Sequence, residues 1–104
     1  MYIARFAYDV LPSDRPKALD FVRREVKAAR DAGLDARILI PLTRGHGGAA
    51  LVFEVALTSL DQLEGFRHRG GGSPEATEDW MRGFSEILRS PPAVEILRVE
   101  ASQG

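Results

Sequence analysis

The sequence contains no cysteine and no asparagine, and only two of its 104 residues are histidine. Without cysteine the chain has no disulfides, no thiolate zinc site and no thiol nucleophile. The two histidines, His46 and His68, lie far apart, and neither segment contains a carboxylate cluster, which is a weak pattern for a metal site. A dinucleotide-binding fingerprint is also missing. We therefore expect no cofactor: no metal, no flavin and no haem.

Long apolar runs and an excess of positive charge are absent as well. The formal net charge is −1, and a protein with general affinity for nucleic acid needs a basic surface. No apolar run is long enough to span a bilayer, and Arg5 and Asp9 interrupt the opening segment where a signal peptide would be apolar. We expect a soluble, cytoplasmic single domain over residues 1–104, with no nucleic acid and no membrane as partner.

Hydrophobic periodicity predicts four strands, over residues 2–8, 36–42, 49–57 and 93–101. A first helix is predicted to begin at Ser13 or Asp14 and to end at Gly33. The second helical region is split: a short helix after residues 58–59 ends at glycines 70–72, and another begins at Ser73–Pro74. In the helix that begins at Ser73–Pro74, the residues predicted to face inward are Thr77, Trp80, Met81, Phe84, Ile87 and Leu88.

This order of elements predicts an α+β fold, the ferredoxin-like plait βαββαβ with an antiparallel sheet. The first and third strands are central, and the helices lie on one face. The opposite face carries a mixed apolar and charged set: Ile3, Arg5, Ala7, Arg37, Leu39, Val52 and Glu54. A second copy of the chain is the simplest cover for that face, so we expect a homodimer.

Two stretches carry a resemblance to a known superfamily: "YIARFAY" as the opening strand, with its Arg5, and "SPEATEDWMRGF" before the last strand. With these, the chain resembles the dimeric α/β-barrel superfamily, in particular its NIPSNAP-like and antibiotic-biosynthesis-monooxygenase-like members. The resemblance implies that two ferredoxin-like subunits pair sheet to sheet. It also implies a ligand site between the sheet and the helices of one subunit. The haem-degrading members use an asparagine on the first strand, which this chain lacks.

Strand alternation then predicts the wall of that ligand site, formed by Tyr2, Phe6, Tyr8 and Phe53, with Trp80 and His68 on the helix side. His68, in "RHR", is the candidate for proton transfer, and Tyr8 is the candidate that orients or protonates a ligand. The alternatives are a histidine favoured by a helix C-terminus and a tyrosine that belongs to the core. Trp80 also has two interpretations: it contacts the ligand, or it packs in the core.

Arg5 and Glu54 are predicted on the other sheet face, where they form either an anion-binding cavity or an ion pair at the dimer interface. The segment "RHRGGGSP" is expected to be a flap over the ligand site, with His68 at its hinge.

Two functions remain open. One is a cofactor-independent monooxygenase or cyclase that acts on an aromatic or polyketide-like intermediate of secondary metabolism. The other is a ligand-binding or accessory homodimer without catalysis.

Overall fold

The computed structural model describes residues 1–43, 50–62 and 74–100, without the side chains of residues 74–80. Its strands are β1 (Tyr2–Tyr8), β2 (Asp35–Leu39), β3 (Leu51–Leu57) and β4 (Ala93–Arg98). The long helices are α1 (Arg15–Asp31), preceded by a 3-10 turn at Pro12–Asp14, and α2 (Pro74–Ile87). The four strands form one antiparallel sheet in the order β2-β3-β1-β4, which confirms the predicted plait.

The strands alternate between two faces, and register keeps directly paired residues on the same face. On the helix side, Leu51, Phe53, Val55 and Leu57 of β3 are at most 1% exposed. Each predicted strand begins at or within two residues of its observed start, but β2 and β4 end earlier than predicted. β2 stops at Leu39, two residues before Pro41, because proline supplies no backbone N–H to a ladder.

Helix α1 follows from an apolar stripe and a glycine stop. Ala18, Val22, Val26 and Ala29 recur at helical spacing and are buried against the sheet. The helix begins after Asp14, as predicted, although that side chain makes no capping hydrogen bond. At the other end Gly33 has φ +84°, and Leu34 N–H donates to the Ala29 carbonyl at 2.9 Å. Only glycine adopts this left-handed conformation without strain, so Gly33 ends α1 as predicted.

Helix α2 packs on α1, whereas α1 packs on β2 and β3. Phe84 is 3% exposed and stacks on Phe21 of α1, with ring centroids 5.1 Å apart. Gly83 allows this approach, because a Cβ there would lie 3.1 Å from the Phe21 ring. Met81, predicted on the inward stripe, is 56% exposed. The prediction was wrong for Met81 because α2 turns Phe84, and not Met81, toward Phe21 of α1 and Tyr8 of β1.

One consequence of this packing is that β4 receives little cover. All six residues of β4 are exposed, although Val94 and Ile96 pair with helix-side residues Phe6 and Ala4. The opposite sheet face has no helix from the described part of the chain on it. Its members are the ones predicted from alternation, as the strand pairing shows.

Candidate functional site

The most unusual polar contact of the described structure joins β1 to α1. The Tyr8 hydroxyl donates to the Glu25 carboxylate and lies 2.8 Å from each of its two oxygens. Tyr8 is 3% exposed, and Glu25 is half-buried on the side of α1 that faces the sheet. Among the ion pairs between described residues, none involves Glu25. Within the described part of the chain, the partner of this carboxylate is therefore a neutral hydroxyl.

This environment changes the proton affinity of both groups. Burial raises the pKa of Glu25 to about 7, and the hydrogen bond from Tyr8 offsets part of that rise. Burial, and then the negative charge and hydrogen bond of Glu25, raise the pKa of Tyr8 well above its ordinary value. Tyr8 thus stays a hydroxyl donor at neutral pH, while Glu25 is poised between its acid and its carboxylate.

One aromatic ring packs against Tyr8, and two others lie at the neighbouring register position on the same face of the sheet. The Tyr8 ring lies 4.7 Å from Phe84, and Phe6 stacks on Phe53 with centroids 5.5 Å apart. Phe53 is fully buried beneath Phe6.

Next to these rings the helix side of β1 and β4 presents an apolar surface with little cover. Val94 and Ile96 are 45% and 49% exposed, and Tyr2 and Phe6 are half-buried. We call these four residues the apolar floor. Tyr8 follows Phe6 by two positions on the same strand, so the Tyr8–Glu25 pair lies beyond one end of this floor.

The opposite sheet face carries a row of alternating charge. Arg37, Glu54, Arg5 and Glu95 are directly paired across β2, β3, β1 and β4. We call this set the charge row. Glu54 is 4% exposed and accepts from Arg5 Nε at 2.8 Å and from Arg37 Nη2 at 2.7 Å. Although burial raises the pKa of Glu54, the hydrogen bonds and charges of Arg37 and Arg5 outweigh it and hold that pKa below its ordinary value.

A shallow cleft of about 500 Å³ lies between α1 and β2, and Arg37 is the one member of the charge row among its lining residues. It is lined by Arg23, Val26, Lys27, Arg30, Asp31, Arg37 and Ile38. Its cations already have partners: Lys27 pairs with Asp31 at 2.9 Å, and Arg30 donates to the Ala36 carbonyl at 3.0 Å. Of the predicted site residues, none lines this cleft.

Several solved proteins are similar to this chain in structure. An antibiotic biosynthesis monooxygenase superposes with a TM-score of 0.71 at 13% identity, over 97% of this chain and 100% of the other. A NIPSNAP domain protein from Burkholderia xenovorans gives 0.73 at 15% identity, over 100% and 98% of the two chains. A Mycobacterium tuberculosis protein gives 0.70 at 20% identity, with both chains covered completely.

The chain has the fold of the antibiotic biosynthesis monooxygenase and NIPSNAP proteins. This confirms the resemblance read from the sequence at the level of the fold. No family model and no curated protein sequence matches the chain.

Within this monooxygenase-like fold, the predicted site residues divide between the two faces of the sheet. Tyr2, Phe6, Tyr8 and Phe53 lie on the helix side, as predicted. Arg5 and Glu54 lie on the other face, so within one subunit they cannot line the same site as Tyr8. His68 and all of the "RHRGGGSP" segment except Pro74, the first residue of α2, lie outside the described residues, and so does the side chain of Trp80.

Glu25 was missed by the sequence reasoning. It stands three residues after Val22 and four before Ala29, so helical spacing already puts it on the buried stripe. A charged residue within a buried apolar stripe indicates a functional residue, and this pattern was visible in the sequence. In the described part of the chain, no group of three or more acidic or histidine side chains could hold a metal ion. Neither α1 nor α2 is both long and apolar enough to cross a bilayer.

Proposed function

We propose that this protein binds a small aromatic or polyketide-like molecule on the apolar floor and processes it without a cofactor, as a monooxygenase or cyclase. The observation that carries the proposal is the hydrogen-bonded Tyr8–Glu25 pair, which lies beyond one end of the apolar floor. Small-molecule sites typically combine such apolar walls with a few placed polar groups. Titratable groups with strongly shifted pKa values concentrate at such sites.

The solved structures support the class of reaction. One neighbour is named an antibiotic biosynthesis monooxygenase, and it shares the fold over nearly the whole chain. Because the identity is 13%, the name supports the proposal without carrying it. His68 remains a second candidate for proton transfer, with Trp80 as a further wall of the site.

A non-catalytic ligand-binding protein is the alternative, and one observation favours it. The Tyr8 hydroxyl already has an internal partner, and its residue is 3% exposed, so a ligand cannot reach it without a rearrangement. In that case the pair would serve to attach α1 to the sheet.

We also propose that the open sheet face pairs with a second copy of the chain. Around the charge row this face is mostly apolar, with Ile3, Ala7, Val52, Ala56 and Leu97 on the neighbouring register positions. A two-fold axis along the strands reverses the strand order of the second copy. It then places Arg37 opposite the partner's Glu95, and Glu54 opposite the partner's Arg5. The alternation of charge makes this face complementary to itself.

The site is tested by titrating the protein with 2-methoxynaphthalene, a neutral aromatic probe. Ile96→Ser should weaken binding several-fold, because Ile96 lies on the apolar floor. Leu42→Ser is the control, since Leu42 is 95% exposed and belongs neither to the apolar floor nor to the sheet face proposed for pairing. Equal effects of the two substitutions, or no binding by the unaltered protein, would contradict the proposed site.

Catalysis is tested separately, by turnover of candidate aromatic and polyketide-like substrates. His68→Ala and Tyr8→Phe are compared with His46→Ala as control. If all three variants behave alike, the catalytic assignment of His68 and Tyr8 is wrong and the ligand-binding alternative is favoured.

A further inference from the structure

Glu25 occupies a position that the packing of α1 would give to an apolar side chain. The neighbouring members of the stripe, Val22, Val26 and Ala29, are at most 7% exposed. A half-buried carboxylate at this place is disfavoured unless it is paired with a cation. Glu54 shows the usual solution, with two arginines on one carboxylate. Glu25 has none among the described residues, so its presence opposes stability and calls for another reason.

The hydrogen-bond geometry leaves Glu25 able to accept a second proton donor. Tyr8 lies 2.8 Å from both carboxylate oxygens, but its hydroxyl carries a single proton. A carboxylate offers about four acceptor positions, so most of the acceptor capacity of Glu25 is left over. The hydrogen bond from Tyr8 fixes the orientation of the Glu25 carboxylate. Its remaining acceptor positions therefore point in a fixed direction.

We infer that Glu25 is the proton acceptor of the site and that its ligand is a neutral acid with an apolar body, such as a phenol or an enolisable ketone. This inference rests on the proposed ligand site. The O–H or C–H bond of the ligand breaks, its proton goes to a Glu25 oxygen, and its electron pair stays on the ligand as a phenolate or an enolate. Glu25 is the catalytic residue in this step, and Tyr8 is a positioning residue.

The surroundings of Glu25 suit this role. Tyr8 is the titratable group that faces it from β1, and the described residue of α2 that packs against Tyr8 is the uncharged Phe84. The pKa of Glu25, about 7, allows the carboxylate to be both present and basic near neutral pH. An anionic ligand would be repelled by the same charge, which is why the ligand is assigned as neutral.

The test uses 2-naphthol, whose excited state is a strong acid and whose naphtholate emission reports transfer to a base in hydrogen-bond contact. For the bound probe, we expect the naphtholate fraction of the emission to rise with pH through about 7. In Glu25→Gln the rise should be lost, while 2-methoxynaphthalene, which has no acidic proton, should bind both proteins equally. In Tyr8→Phe the rise should persist with its midpoint moved to higher pH, because the Tyr8 hydrogen bond lowers the pKa of Glu25.

The outcomes separate the two proposals. If neither naphthalene binds, the ligand site itself is wrong and the inference falls with it. If both bind but Glu25→Gln transfers the proton as well as the unaltered protein does, the site stands and Glu25 is not the acceptor. An unmoved midpoint in Tyr8→Phe would contradict the positioning role of Tyr8.

Discussion

The Tyr8 hydroxyl and the Glu25 carboxylate, 17 residues apart in sequence, meet at 2.8 Å between the sheet and α1. Glu25 has no cationic partner among the ion pairs between described residues. The contact joins the buried Tyr8 hydroxyl to the Glu25 carboxylate, which is only partly solvated. Its two members should affect stability in opposite directions.

Glu25→Gln is expected to stabilise the protein at high pH. The folded pKa of about 7 exceeds the ordinary value of 4.5, so ionised Glu25 lowers the free energy of unfolding as pH rises from 4.5 to 7. Glutamine keeps an acceptor for Tyr8 and never ionises. We expect a gain of up to about 3 kcal/mol at pH 8 and almost none at pH 4.5, measured by urea denaturation. A gain independent of pH would contradict the shifted pKa.

Tyr8→Phe is expected to destabilise the protein, because it leaves the Glu25 carboxylate without its donor. The loss should be about 1.5–3 kcal/mol at pH 8, the range for a hydrogen bond to a charged group. It should be smaller at pH 5, where Glu25 is protonated. Tyr2→Phe is the matched control, since Tyr2 lies on the same face of β1 and its hydroxyl bonds no carboxylate of the described residues. In a double-mutant cycle with Glu25→Gln the two effects should not add.

Glu54→Gln should have the opposite effect to Glu25→Gln and destabilise the protein at neutral pH. The lowered pKa of Glu54 means that its contribution is present above the ordinary value and is lost as pH falls. We expect a loss of about 1–3 kcal/mol at pH 7, less than for a fully buried pair, because Arg5 and Arg37 remain 42% and 64% exposed. Asp31→Asn, which removes the exposed pair with Lys27, should cost under about 0.5 kcal/mol. If the two variants lose similar amounts of unfolding free energy, the burial of Glu54 does not strengthen its ion pairs.

Reversal of charge at Glu95 should weaken self-association. If Glu95 faces the partner's Arg37, Glu95→Arg places like charges together, and the dissociation constant should rise at least tenfold. Glu86→Arg makes the same change of charge on exposed α2 and serves as control. Sedimentation or light scattering over a concentration series gives the comparison. A monomer at micromolar concentration in the unaltered protein would remove the paired-sheet arrangement altogether.

Gly33→Ala tests whether the left-handed conformation of Gly33 at the end of α1 contributes to stability. Alanine cannot adopt φ +84° without strain, so we expect a loss of about 1 kcal/mol, although no atom lies within 4 Å of the added Cβ. Ala32→Gly, at the C-cap just before it, lacks this conformational cost and gives the comparison. An unchanged midpoint of thermal unfolding in Gly33→Ala would mean that the turn relaxes freely.

The sequence by itself determined the elements and the faces. Period-two alternation in "YIARFAY" and "LVFEVAL" assigned each side chain to one face, and the order of strands and helices led to the plait with β1 and β3 central. Such features depend on neighbours along the chain, so they can be read from spacing. The pairing of Arg5 with Glu54 was also within reach, because both residues lie at alternating positions of adjacent strands.

Only the tertiary structure decided which side chains meet across elements. Tyr8 and Glu25 come together because the depth and rotation of α1 on the sheet turn one position of its stripe toward the end of β1. Likewise α2 rests on α1, so Met81 and the helix side of β4 stay exposed. Periodicity gives the direction in which a side chain points from its own axis. It does not give the distance or angle between axes, which depends on the packing of all the side chains between them.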